Sequence, residues 1–103
     1  MKVSQVKVGQ LEWTVKESPA VIIEGNRNYA GSCSYETTEI TLLETLSEER
    51  KEDVFFHELT HAMFHEAGFD DHEEDVVNRL AKIVHQVVKE NDFSWLKDKS
   101  NAR

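Results

Sequence analysis

His57-Glu58-Leu59-Thr60-His61 constrains this chain more than any other stretch, because its two histidines can act together on a helix. At 3.6 residues per turn, His57 and His61 stand one above the other on one helix face, and both imidazoles can then reach a single ion. Glu58 follows the first histidine. From there its carboxylate sits beside such an ion rather than on it, which is where a general base is needed.

The flanking residues predict that helix. Ser47 precedes Glu48, Glu49, Lys51, Glu52 and Asp53, so it reads as an N-cap followed by acidic turns that suit the positive end of the helix dipole. Phe55, Leu59, Ala62, Met63 and Glu66 recur at helical spacing opposite the histidines, with Phe56 and Ala67 beside them. Gly68 offers a C-terminal stop. Because Val54 and Phe64 flank the histidine face, the helix is expected to be apolar nearly all round and buried. Polar side chains on a buried helix need partners, and a metal ion would supply one.

Two histidines and an open position leave zinc one protein ligand short of a tetrahedral catalytic site. His65 continues the histidine stripe, but it lies about 6 Å further along the axis and reaches the same ion poorly. A third histidine of the metzincin pattern would require Gly at position 64 and His at position 67, where the chain has Phe64 and Ala67. Beyond Gly68, the run Asp70-Asp71-His72-Glu73-Glu74-Asp75 leads into a second amphipathic helix. Its expected core face is Val76, Val77, Leu80, Ile83, Val84 and Val87, and its acidic first turn complements the dipole. Glu74, Val77, Asn78 and Ala81 form an adjacent stripe, which makes Glu74 the expected third ligand with Asn78 one turn below it. Glu73 stays open as the ligand, and behind it His72 or an aspartate.

His57-Glu58-Leu59-Thr60-His61 followed by Glu74-x-x-Val77-Asn78-x-Leu80-Ala81 resembles the small ImmA/IrrE-type zinc metallopeptidases of phages, prophages and mobile elements. The typical family string has Glu, two residues, Ala-Asn, one residue and Phe-Ala, so Val77 and Leu80 are apolar replacements here. The resemblance covers about residues 29 to 88. It implies a minimal zincin-like domain with zinc on His57, His61 and Glu74, Glu58 as base and Asn78 bonded to a neighbouring ligand. It further implies a protein substrate, a transcriptional regulator such as a phage-type repressor.

The first 43 residues read as sheet. Lys2 to Val8 and Leu11 to Val15 alternate around Gly9-Gln10, a hairpin signal, and Tyr29 to Tyr35 with Glu39 to Leu43 suggests a second hairpin. Val21-Ile22-Ile23 can be a strand or a helical turn. Sheet first and helices after predicts an α+β domain, a small mostly antiparallel sheet followed by two packed helices. Residues 1–90 are expected to form this single domain and 91–103 a tail, partly docked or disordered, with Trp95 a core or rim anchor. If Glu39 to Leu43 is the edge strand beside the metal helix, an extended peptide can add to it through backbone hydrogen bonds. Tyr29, Tyr35, His65, His72 and His85 are all candidate donors to an oxyanion, and the sequence does not choose among them.

A length of 103 residues fits one domain. With 12 basic against 20 acidic residues and a net charge of −8, direct binding to nucleic acid is not expected, whereas a basic or neutral protein partner is. No apolar run reaches membrane-span length and no signal-like h-region opens the chain, so a soluble cytoplasmic protein is expected. Cys33, the only cysteine, reads as a small buried residue rather than a nucleophile. Three function classes follow. One is a zinc peptidase acting on a protein regulator. The second is a non-catalytic zinc-stabilised binding or inhibitor protein of phage or prophage origin, which has no need of Glu58 as a base. The third is a metal-free acidic inhibitor.

Overall fold

Alternation at the start of the chain produces the expected hairpin. Ser4–Val8 (β1) and Leu11–Ser18 (β2) pair antiparallel from Ser4↔Val15 to Val8↔Leu11. Gly9 takes a left-handed φ of 61°, as the first position of a two-residue hairpin loop requires. The computed structural model describes residues 4–97, so the start of the expected first strand and residues 98–103 of the expected tail lie outside the described residues. The second hairpin pairs Gly31–Ser34 (β3) with Glu39–Leu43 (β4), antiparallel from Gly31↔Leu42 to Ser34↔Glu39. Val21-Ile22-Ile23 is neither strand nor helical turn. It runs into a loop closed by two backbone hydrogen bonds between Ile23 and Asn26, at 3.0 and 2.9 Å.

β4 then lies alongside β2, parallel from Thr14↔Glu39 to Ser18↔Leu43, giving one mixed sheet in the order β1-β2-β4-β3. This corrects the expectation that Glu39 to Leu43 is an edge. Ile40 and Leu42 are both 0 % exposed, and an interior strand buries such side chains more fully than a rim strand does. The edge beside the helices is β3, whose Gly-Ser-Cys-Ser sequence has little apolar surface to hide.

One face of the sheet is covered by Glu48–Glu66 (α1), giving the α+β architecture. Val8, Trp13, Val15, Ile40, Leu42 and Ala62 form the core, with Val54, Phe55 and Leu59 of α1 packed against them. Ser47 caps α1 as expected, its Oγ accepting a hydrogen bond from the Arg50 N–H at 3.2 Å. The far end closes at Gly68, which has a φ of 98°. There the N–H of Phe69 donates to the Phe64 carbonyl and that of Gly68 to the His65 carbonyl, each at 3.0 Å, while the rings of Phe64 and Phe69 meet edge to face. This is a Schellman stop with its apolar contact in place. The helix is not buried all round, because Met63 faces solvent. Lys51 is buried instead, and its Nζ is held by Glu17 of β2 at 3.0 Å and Glu48 at 3.2 Å.

Glu74–Glu90 (α2) packs chiefly on α1. Its buried side chains are Val77 and Ala81, whereas Val76, Leu80, Ile83 and Val87 of the expected core face are exposed. The correction has a simple cause. α2 has little but α1 to pack on, so only the narrow strip carrying Val77 and Ala81 is buried, and it lies on the side where Glu74 meets the α1 histidines. A 3-10 turn, Ser94–Lys97, ends the described chain with Trp95 at the surface.

Candidate metal centre

Helical rise sets His57 and His61 one turn apart, and their rings lie 4.9 Å apart between centroids, 75° from parallel. The first residue of α2 completes the group. Glu74 Oε1 lies 2.6 Å from His57 Nε2 and 3.3 Å from His61 Nε2, and one ligand atom from each of the three residues lies within 4.8 Å of the others. Glu73 is instead the N-cap residue, exposed and outside the helix. Of the two adjacent glutamates, Glu74 is the one the fold brings to the histidines.

Two imidazoles and one carboxylate form a donor set that would suit zinc and other divalent ions of similar preference. The electrostatics favour a cation as well. Burial pushes the His61 imidazole below its usual range, so its lone pair is available near neutral pH. Burial works against ionisation of Glu74 too, but His61 and His57 outweigh it and hold that carboxyl below the ordinary range.

The group opens on a cleft of about 440 Å³ whose other wall is β3 and its flanks, including Tyr29, Gly31, Ser32, Cys33 and Tyr35. Glu58 lies at its floor, 8 % exposed. Burial first, and the Glu74 charge second, push the Glu58 carboxyl up to about 7. Gly31 lets the strand come this close. A Cβ there would fall on Val54 Cγ1 and would stand 3.4 Å from Glu58 Cγ. Cys33 also lines the cleft, and burial together with Glu58 raises its thiol to about 12, which keeps it protonated and poorly nucleophilic.

The five candidate donors separate. Tyr29 and Tyr35 line the cleft. Tyr35 is held by stacking on His65, with ring centroids 4.2 Å apart and planes 8° from parallel. Burial raises its phenol to about 12, with Cys33, Glu58 and Glu74 adding to the shift, so it remains a hydrogen-bond donor. His65 thereby supports Tyr35 and stands outside the group of His57, His61 and Glu74. His85 is elsewhere, between Glu52 at 2.9 Å and Asp53 at 3.2 Å and stacked on Phe56. His72 lies behind His61, its Nε2 2.8 Å from His61 Nδ1. Asn78 borders a second, smaller cleft with His57, Asp53 and His85.

Sequence reasoning missed the contributions of Gly31 and of the His61–His72 pair. The first depends on which strand meets α1, which no local pattern reports. The second had a signal in the nearness of His72 to Glu74. No protein-family model, curated protein or solved structure matches this chain.

Proposed function

We propose that this protein is a zinc-dependent peptidase of the small ImmA/IrrE type, cleaving a protein substrate such as a phage-type transcriptional regulator. The observation that carries the reading is the burial of Glu58 at the floor of a cleft whose rim holds His57, His61 and Glu74. A site that only stiffens a fold has no use for a costly buried carboxylate beside its ligands.

On this reading His57, His61 and Glu74 hold zinc, which when bound supplies Lewis acidity toward a peptide carbonyl and toward water. Glu58 takes the proton of the attacking water and passes it to the leaving amine. The outer edge of β3 receives an extended segment through main-chain hydrogen bonds, the part earlier expected of Glu39 to Leu43. Tyr35, with Tyr29 as the other phenol of the cleft, donates to the developing oxyanion. Among the described residues no helix is long and apolar enough to cross a membrane, and the reading takes the protein as cytoplasmic, where a regulator would be met.

The test is comparison of new protein N-termini in a host proteome treated with wild-type protein and with Glu58→Gln, both zinc-loaded. Fragments made by wild type alone support the peptidase. Identical fragments from both remove the mechanism, and zinc binding without fragments leaves a zinc-stabilised binding protein.

A further inference from the structure

We infer that His72 is a positioning residue for His61: it accepts the hydrogen bond that sets which nitrogen of His61 faces the metal position. The inference rests on the metal reading above and adds to it a part of the site that the ligand motif does not contain.

His61 turns Nε2 toward Glu74 and Nδ1 away from it, where His72 Nε2 stands at 2.8 Å. A neutral imidazole that offers Nε2 to a cation must carry its proton on Nδ1, and that proton needs an acceptor. His72 Nε2 is the acceptor in place. Its ring is fixed by stacking on Phe64, with centroids 5.0 Å apart and planes 16° from parallel. Phe64 is itself part of the Schellman stop through Phe69. The stop, the His72 ring and the start of α2 are therefore one connected unit, and His72 orients His61 two residues before Glu74 joins the group.

The pair has two neutral arrangements. Without a cation the same contacts fit the other arrangement, with His61 donating from Nε2 to Glu74 and His72 donating from Nε2 to His61 Nδ1. With a cation, both rings carry the proton on Nδ1 instead. Each ring gives up one proton and gains one, with water as carrier, so the charge of the pair does not change. The second arrangement leaves an N–H at His72 Nδ1, which is buried with no hydrogen-bond partner. That nitrogen has no partner in either arrangement, so the exchange replaces a buried lone pair by a buried N–H at the same place.

The test compares zinc affinity, by competition with a chromophoric chelator, in full-length wild type, His72→Phe, His72→Gln and His61→Ala. Circular dichroism and thermal melting without metal check folding, and ¹⁵N–¹H correlation of the rings reads the tautomers. His72→Phe keeps the stack and removes the acceptor, so affinity should fall about 10- to 100-fold. His72→Gln restores an acceptor and should recover much of the loss. Zinc-loaded wild type should show His72 protonated on Nδ1. Affinity of His72→Phe within about twofold of wild type overturns the inference, where a lost outer partner should cost tenfold or more. So does a loss as complete as that of His61→Ala, which would make His72 a ligand, a failure of His72→Gln to recover, or a proton on His72 Nε2 in the loaded protein. Wild type that binds no zinc overturns the metal reading itself, and this inference with it.

Discussion

Glu58 and Glu74 face one cleft with opposite proton affinities. Glu74, at the rim, is held below the carboxylate range by the two imidazoles in spite of burial, whereas Glu58 on the floor is pushed up to about 7 by burial and by the Glu74 charge. One is suited to stay charged and hold a cation, the other to exchange a proton near neutrality.

The shift of Glu58 is also a statement about stability. Its folded pKa of about 7 lies above the ordinary 4.5, so its contribution is fully present below pH 4.5 and is lost as pH rises through 7. In metal-free protein the loss is on the order of 3 kcal/mol at one pKa unit per 1.36 kcal/mol. Glu58→Gln should remove it. Urea unfolding at pH 5 and pH 8 in the presence of chelator should therefore show the variant gaining on wild type as pH rises, and equal pH trends would mean Glu58 is not desolvated as described.

Metal content separates the two candidate carboxylates. Elemental mass spectrometry of tag-free protein should find about one zinc per chain in wild type and none in His61→Ala. Glu74→Ala should weaken binding far more than Glu73→Ala, and the reverse order would move the third ligand to the N-cap position.

Gly31→Ala tests the close approach of β3 to α1. The added methyl group falls on Val54 Cγ1 and meets the Thr41 carbonyl oxygen at 3.1 Å, so overpacking should cost about 1–3 kcal/mol. Val54→Ala in the same chain makes room, and the double variant should be more stable than the sum of the two single effects allows. Simple additivity in thermal melts would show that the strand has moved off the helix.

The rotation of α2 can be checked by two truncations. Val77 is 0 % and Ile83 58 % exposed. Val77→Ala should cost about 2 kcal/mol as a core truncation, and Ile83→Ala no more than about 0.5 kcal/mol as a surface change. A larger cost at Ile83 in chemical denaturation would mean that the expected face is the buried one after all.

That comparison marks where sequence reading succeeds and fails. Gly68 and Gly9 act through their own backbone and Ser47 through its hydroxyl on a residue three places on, so the α1 boundaries and the first hairpin were legible. So was the meeting of His57, His61 and Glu74 in one group, since it depends on one helix, one stop and one start. The face of α2 was misread because Val76, Leu80, Ile83 and Val87 match a core periodicity, and periodicity does not say whether anything lies opposite. The place of β4 was misread because strand order depends on pairing between distant segments, here Thr14 with Glu39.

The cleft has two walls of different origin. The wall that carries His57, His61 and Glu74 is written in one contiguous stretch, while the facing wall comes from residues 29–35, in and beside a separate hairpin. Substitution can therefore act on the two independently. Exchanges along Ser32 and Tyr35 can remodel that wall while the half that carries His57, His61 and Glu74 stays unchanged. Gly31, where the walls touch, is the position at which that freedom ends.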